Sequence, residues 1–204
     1  AGPAPAGHPR KLRQAMKIAR RADHKRMAWK NGQGLTEEVA AFPAGSDTDS
    51  FDWRLSIAHV GADGPFSVFA GIDRTIALLD GPGLALDLPE GKTVELRPDG
   101  APFAFPGDWT ISSRNTGGPT IDLNIMTRRG RCTHEMQRLT LEPDARFTTT
   151  GPGWTVFNTP ASIDADGKDL TIERFDAIAL DAGEGFVNRT ETAAQILHIV
   201  IAAV

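Results

Sequence analysis

The chain has 204 residues, of which 40% are hydrophobic, and it carries a formal net charge of -4 at pH 7. This length suits one large domain or two small ones with a sizeable core, and no apolar run reaches the roughly 18 residues that a membrane-spanning helix needs. The single cysteine, Cys132, excludes an intrachain disulfide and favours a cytoplasmic protein with no membrane partner.

The charge is unevenly distributed along the chain. Between Arg10 and Lys30 there are nine Lys or Arg residues and one acid, Asp23, so this segment carries +8 and the remainder carries -12 (-4 minus +8). A single-strand nucleic-acid platform also needs a series of aromatic residues between the charges, and this segment has no such series. We therefore expect no nucleic-acid partner. Residues 1–15, rich in Pro, Gly and Ala, are predicted to form a disordered leader.

Short strands dominate the predicted secondary structure. Residues 16–20 are predicted to form a first strand, and residues 22–29 have weak helical character with Asp23 as a cap. The later predicted strands are, in chain order, 51–60, 74–88 (a hairpin that turns at 80–83), 92–98, 102–114 (interrupted at 106–107), 120–129, 135–142, 146–150, 154–159, 169–174, 176–182, 185–189 and 194–204. Gly and Pro turn signals separate them by about eight to twelve residues, which is typical of a β-sandwich or β-barrel.

Two segments about half a chain apart are similar to each other. LLDGPGLAL (78–86) and ALDAGEGFV (179–187) both contain an apolar strand, an Asp, a Gly-rich turn and a second apolar strand. This similarity favours a duplicated small β-barrel. Turn chemistry shared by unrelated hairpins explains it equally well.

Two predicted strands carry polar side chains on the face opposite to an apolar one. In one strand, Arg54 and Ser56 alternate with apolar residues. In the other, Asp122, Asn124 and Met126 share one face. A solvated outer face would explain the alternation, but Asn and Met are less typical of such a face than Lys, Glu or Thr. Polar groups inside a barrel suit a small polar ligand, and arginine offers a bidentate contact to a carboxylate.

Several common kinds of active site are disfavoured by the motifs. The stretch WKNGQG (29–34) is not a phosphate-binding P-loop, because Lys30 precedes both glycines instead of following the last one. The five histidines are all more than five positions apart, so no His pair on one strand predicts a metal site, and we expect no cofactor. Cys132 lies in an Arg-Gly loop two positions before His134, and no G-x-S-x-G motif is present, so we predict no catalytic residue.

Four segments together resemble the HutD/Ves family of bacterial proteins: WKNGQG with T-x-E after it, FDWRLSIAHVGADGPFSVFAGIDRTIALLDG, PFAFPGDW and IDLNIMTRR. The resemblance covers residues 16–204. The positions that match the family's characteristic residues are Trp29, Lys30, Asn31, Gly32, Gly34, Trp53, Arg54, Ser56, Phe66, Arg74, Phe105, Gly107, Asp108, Asp122, Asn124 and Arg128. Gln33 departs from the pattern, since family members often carry a glycine there.

The resemblance implies an all-β bicupin fold, in which two small cupin-type (jelly-roll-like) barrels pack together in one chain. Residues 16–118 are expected to form the first barrel and residues 119–204 the second, with strands exchanged between the halves. PFAFPGDW is similar to the strand of a cupin's second motif but lacks its metal-binding histidine. This difference implies a protein that does not depend on a metal.

The resemblance also implies a function. HutD-like members are associated with histidine utilisation, where they are thought to bind an intermediate such as formylglutamate and restrain the pathway, and Ves-like members are linked to stress responses. We therefore predict a site for a small carboxylate or amino-acid-derived ligand. Arg54 would grip the carboxylate, and Asp122 would accept from an N–H group or orient Arg54. The residues predicted to line this site are Trp29, Lys30, Asn31, Arg54, Ser56, Phe105, Asp122, Asn124 and Met126.

Two other functions fit the same residues. The first is an isomerase or hydrolase of a small organic acid, with Asp122 or Asp108 as a general base. The second is an interaction protein, which predicts a closed barrel without a pocket. Convergence of Arg54 and Asp122 in a cavity would disfavour the second. A homodimer formed through a strand edge is compatible with all three functions.

Overall fold

The structure, a computed structural model, describes residues 16–204, and the predicted leader of residues 1–15 lies outside this range. The described residues form nineteen β-strands and two short 3-10 helices, Arg21–Asp23 and Pro89–Gly91. The first eleven strands are β1 (Lys17–Ala19), β2 (Lys25–Ala28), β3 (Gly34–Phe42), β4 (Trp53–Val60), β5 (Gly64–Pro65), β6 (Ile72–Asp80), β7 (Leu84–Asp87), β8 (Thr93–Leu96), β9 (Phe103–Pro106), β10 (Ser112–Asn115) and β11 (Thr120–Arg128). The other eight are β12 (Cys132–Leu141), β13 (Arg146–Thr148), β14 (Gly153–Phe157), β15 (Ala161–Ala165), β16 (Lys168–Ile172), β17 (Ala177–Leu180), β18 (Gly185–Asn188) and β19 (Ala194–Ala203). The predicted all-β class is confirmed. Within residues 16–204, no helix combines the length and apolar character needed to cross a bilayer.

The strands form four antiparallel sheets, named here I to IV. Sheet I has the strand order β2-β3-β4-β11-β6-β9, and sheet II has the order β5-β10-β7-β8. Sheet III has the order β1-β17-β14-β19-β12, and sheet IV has the order β13-β18-β15-β16. Sheets I and II constitute the first unit, and sheets III and IV constitute the second.

The two units repeat one strand order. Adding eight to each strand number in β4-β11-β6-β9 gives β12-β19-β14-β17, and the same step converts β5-β10-β7-β8 into β13-β18-β15-β16. Strands β2 and β3 extend sheet I beyond β4, and β1 extends sheet III beyond β17. This eight-stranded repeat is consistent with two cupin-type barrels in one chain.

The strand pairing puts the boundary between the two units after β11, whereas the sequence suggested a boundary after residue 118. β11 pairs with β4 on one side and β6 on the other, so it completes the first unit, and the second unit begins at β12. The N-terminal strand β1 pairs instead with β17 of the second unit. The similar segments 78–86 and 179–187 are the β6–β7 and β17–β18 connections, which the repeat does not relate. Their similarity therefore reflects shared turn chemistry. The repeat of the two units lies instead in their strand order.

Apolar side chains fill the interfaces between consecutive sheets and give the layer order II–I–III–IV. The cluster between sheets I and III includes Leu55, Ile57, Leu123, Ile125, Trp154, Val156, Leu197 and Ile199. The cluster between sheets I and II includes Ile76, Leu78, Leu84, Leu86, Leu96 and Phe105. The cluster between sheets III and IV includes Phe157, Ile163, Ile172, Ile178, Leu180, Phe186 and Ile196. The predicted apolar face of the strand 51–60 thus packs between the units.

Two differences from the predicted elements have clear causes. The helix predicted at 22–29 is wrong, because β2 in this segment pairs with β3 as a hairpin, and this pairing outweighs a weak helical propensity. The strand β3 was not predicted, because the adjacent Glu37 and Glu38 interrupt any apolar alternation. The structure sends these two side chains to opposite faces, and a register shift follows between Glu38 and Ala40. The strand β15 was also missed.

Candidate ligand-binding site

A cavity of about 590 Å³ lies between sheets I and II of the first unit. Three adjacent strands of sheet I, β4, β11 and β6, form one of its walls. In their register, Met126 lies opposite both Arg54 and Arg74, and Asn124 lies opposite Ser56. Since alternate residues of a strand share a face, this register collects polar side chains from all three strands on the cavity side.

Arg54 is held in the cavity wall by Glu38. The Arg54 Nε donates a hydrogen bond to Glu38 Oε2 at 2.7 Å, and the two side chains are 8% and 17% exposed. The prediction that Asp122 orients Arg54 is therefore wrong, because β3 places Glu38 beside β4 and supplies that contact. The Arg54 guanidinium makes no other hydrogen bond to a described residue, so its remaining N–H groups are available to a ligand.

Arg74 is a second buried cation in the cavity wall. Its guanidinium lies over the rings of Phe66, Phe69 and Phe105, at 5.3, 5.5 and 5.1 Å from their centroids. Its Nη1 donates to the Ser67 carbonyl oxygen at 3.3 Å, whereas its Nε is buried without a partner. Burial lowers the pKa of Arg74 to about 10, so the group remains charged at neutral pH.

Asp122 and Asn124 bring two further unsatisfied atoms to the cavity. Asp122 Oδ2 and Asn124 Oδ1 are both buried and have no hydrogen-bond partner among the described residues. Burial raises the pKa of Asp122 to about 7, although the positive charge of Arg74 acts in the opposite direction. Because a buried unpaired polar group costs about 1–3 kcal/mol, these atoms favour a ligand that supplies the missing partners.

The turn between β2 and β3 forms part of the mouth of the cavity. Gly32 adopts a left-handed conformation with φ of 70°, and Asn31 Oδ1 accepts a hydrogen bond from the Gln33 backbone N at 3.0 Å. Trp29 turns back onto the hairpin, and its Nε1 donates to Thr36 Oγ1 at 2.9 Å. This local geometry places an aromatic ring and a polar turn at the entrance.

Most of the residues predicted for the site contact the cavity. Those that line it are Trp29, Lys30, Asn31, Arg54, Ser56, Asp122, Asn124 and Met126. Phe105 does not line it, because its ring is buried against Arg74 in the core of the first unit. Alternation did not assign Arg74 to the site, since Ile76 and Leu78 on the same strand face are apolar. Glu38 was missed because its strand was not predicted.

Other candidate reactive groups lie away from the cavity. Asp108, the alternative general base, is exposed, accepts a hydrogen bond from the Gly71 backbone N at 3.0 Å, and is paired with Arg129, which holds its pKa below the usual value. Burial raises the pKa of the Cys132 thiol, and the nearby Asp52 charge acts in the same direction. Neither residue lines the cavity, so neither is placed to act on a molecule in it.

Three of the four described histidines make hydrogen-bond contacts within the protein, whereas both ring nitrogens of the fourth, His24, are buried without a hydrogen-bond partner. His198 contacts Thr149 and Thr155 through its two ring nitrogens, and His134 bridges hydroxyl groups in the same way. His59 Nε2 lies 2.7 Å from Glu37 Oε1. Within residues 16–204, no three His, Cys, Asp or Glu side chains are grouped so that they could share a metal ion.

Several known proteins are similar to this chain in sequence or in structure. A family model described as HutD matches residues 21–198. The chain is 37% identical over 148 residues to Protein Ves of Citrobacter koseri, an alignment that covers 72% of this chain and 74% of that protein. It is 40% identical over 111 residues to a Pseudomonas putida protein described as an uncharacterized 21.2 kDa protein in the hutC 3' region, which covers 54% of this chain and 57% of that one. The solved structure of HutD from Pseudomonas fluorescens SBW25 superimposes with a TM-score of 0.74 at 31% identity, over 93% of this chain and 100% of that chain.

Proposed function

The chain belongs to the HutD family, which is related to histidine utilisation, and on this basis we propose that its cavity binds a small carboxylate such as formylglutamate without the help of a metal. Binding then regulates histidine utilisation, in the cytoplasm. The observation that supports this proposal is the group of unpartnered buried polar atoms in one cavity: Arg74 Nε, Asp122 Oδ2 and Asn124 Oδ1.

The cavity supplies chemistry that complements both ends of such a molecule. Arg54 and Arg74 offer N–H donors to a carboxylate. Hydrogen bonds between such charged groups are stronger than hydrogen bonds between neutral groups. Ser56 and Asn124 can pair with an amide or carbonyl group. Met126 contributes an apolar wall, and the volume of about 590 Å³ suits a small metabolite. Trp29, Lys30 and Asn31 would contact the ligand near the mouth.

A thermal-shift series with histidine, urocanate, formiminoglutamate and formylglutamate tests the proposal. A ligand present at about a hundred times its Kd stabilises the folded state by about 2.7 kcal/mol, which raises the Tm measurably. We expect formylglutamate to raise the Tm most, since it has two carboxylates and an amide. An unchanged Tm with all four compounds at millimolar concentration would contradict the proposal.

A second function is favoured by one observation, the raised pKa of Asp122. A buried carboxyl with a pKa of about 7 could serve as a general base for an isomerase or hydrolase acting on a small organic acid. Incubating each of the four compounds with the protein and following its NMR spectrum separates the two functions. Binding without chemical change supports a ligand-binding protein, whereas product formation that Asp122→Asn abolishes supports the enzyme.

A further inference from the structure

The buried wall of the cavity has balanced charges when Glu38, which pairs with Arg54 but does not itself line the cavity, is counted with it. Arg54 is paired with Glu38, and Arg74 faces the same space as Asp122. If all four side chains are ionised, their charges sum to zero (+2 and -2). The other charged residues that line the cavity, Lys30 and Asp63, are exposed at its mouth, where solvent screens them. The buried wall therefore has no spare positive charge for a ligand that brings two negative charges.

Unlike Arg54 and Glu38, which pair with each other, and like Arg74, Asp122 has no ion-pair partner among the described residues. Among residues 16–204, no Lys, Arg or His nitrogen lies within 4.0 Å of its carboxylate, and its Oδ2 has no hydrogen bond. Its neighbours on the cavity face of the sheet are Asn124 on its own strand and Ala58 and Leu78 on the flanking strands. Nothing in the described protein therefore stabilises the ionised form at close range, and Arg74 acts on it only over a longer distance.

A dianionic ligand changes this balance. Its two carboxylates would add two negative charges to a poorly solvated space that already holds the Asp122 carboxylate, and like charges in such a space repel strongly. Protonation of Asp122 removes one negative charge. It also converts an acceptor into an O–H donor, which can bond to a ligand oxygen.

We propose that the cavity takes up dianionic carboxylates of the formylglutamate type together with one proton, which Asp122 holds. This inference rests on the proposed function and adds a rule for its regulation: the ligand binds tightly when the proton is available and weakly when it is not. Burial, which raises the pKa of Asp122 to about 7, makes this proton exchangeable near neutral pH.

Isothermal titration calorimetry of the full chain with formylglutamate measures the proton directly. Titrations at one pH in buffers of different ionisation enthalpy give the number of protons taken up with each ligand. At about pH 8 we expect nearly one proton per ligand, and at about pH 5.5 nearly none, because Asp122 is already protonated there. Affinity should fall about tenfold for each pH unit above 7.

Two variants complete the experiment. Asp122→Asn supplies a permanently neutral side chain, so it should bind formylglutamate without proton uptake and with an affinity that does not change between about pH 7 and 9. Asp169→Asn, an exposed change in sheet IV, should behave as the unmodified protein. If Asp122→Asn does not fold, the proton count of the unmodified protein decides the matter.

The outcomes separate this inference from the proposed function. Binding with no proton uptake at pH 8, or an Asp122→Asn variant that retains the pH dependence, would overturn the inference and leave the proposed function in place. Absence of binding at both pH values would overturn both.

Discussion

At the scale of single residues, Arg74 is the side chain whose environment most needs explanation. It is 6% exposed and has no carboxylate within ion-pair distance among residues 16–204, yet it is surrounded by three phenylalanine rings. Ring faces stabilise a cation by about 0.5–2 kcal/mol each, but they replace only part of the hydration that burial removes. A cation in this state interacts favourably with any anion that reaches it.

Replacing Arg74 should separate binding from stability. We expect Arg74→Met to weaken formylglutamate binding by about a hundredfold, since loss of a buried charged contact costs about 2–5 kcal/mol. The free energy of unfolding should not fall, because an apolar side chain in this aromatic pocket avoids the desolvation of a charge. Titration calorimetry and urea denaturation measure the two quantities.

A matched control is Arg97→Met, which removes an exposed arginine paired with Glu95. It should alter neither quantity. Unchanged binding by Arg74→Met would show that Arg74 does not contact the ligand.

Asp122 gives stability a pH dependence of its own. Its folded-state pKa of about 7 lies above the ordinary value of 3.8, so the native protein holds this proton more tightly than the unfolded chain does. Protonation of Asp122 contributes fully to the free energy of unfolding below about pH 4, and this contribution is lost as the pH rises to about 7. A shift of roughly three pKa units corresponds to a loss of up to about 4 kcal/mol.

Asp122→Asn should therefore be more stable than the unmodified protein above pH 7, by about 2–4 kcal/mol, and this difference should shrink towards zero near pH 4. Urea denaturation of both proteins at a series of pH values measures it, with Asp169→Asn as the control that should show no such trend. A constant difference across pH would mean that Asp122 is not protonated near neutrality.

At the scale of elements, β3 connects the cavity with the interface between the two units. Glu38 on one face holds Arg54, whereas Glu37 on the other is 1% exposed and contacts Arg21 and His59. Although burial acts to raise it, hydrogen bonds from Arg21 and His59 leave the pKa of Glu37 below its usual value. Two adjacent glutamates thus anchor opposite sides of a single strand.

The start of β3 has no room for a side chain. A Cβ atom on Gly34 would lie 2.5 Å from the Trp29 ring and 2.7 Å from the His59 carbonyl oxygen. Gly34→Ala should therefore push Trp29 away from the cavity mouth and lower the free energy of unfolding by about 1–3 kcal/mol, the usual cost of overpacking. Chemical denaturation monitored by tryptophan fluorescence measures both effects.

Gly64→Ala is the matched control, because a Cβ at this position meets nothing within 4 Å. Its free energy of unfolding should change by less than about 0.5 kcal/mol. If both variants lose the same stability, backbone freedom rather than the contact with Trp29 determines the effect.

At the scale of the whole molecule, the two repeated units differ in what fills them. The interior of the second unit contains His198, which contacts Thr149 and Thr155 through its ring nitrogens and packs edge-on against Phe147 at 4.8 Å. Burial lowers the pKa of His198 to about 4, so the ring is neutral at neutral pH. These polar groups satisfy one another, in contrast with the unpartnered atoms of the first unit.

This difference predicts one ligand per chain despite the repeated topology. Calorimetric titration with formylglutamate should give a stoichiometry close to one, and Arg74→Met should remove all of the specific heat of binding. Two sites per chain, or a site that survives Arg74→Met, would mean that the second unit also binds the ligand.

The sequence by itself determined the all-β class, because turn residues and apolar alternation depend on neighbours along one strand. It also placed Arg54, Ser56, Asp122 and Asn124 on strand faces opposite the core, and the resemblance to one family pointed to a bicupin. Only the tertiary structure decided which polar face encloses a cavity, that Glu38 rather than Asp122 holds Arg54, that Arg74 belongs to the site, and that β11 completes the first unit. The reason is physical: strand register joins residues far apart in the chain, and the burial that leaves Arg74 and Asp122 without ion-pair partners arises only when the sheets pack together.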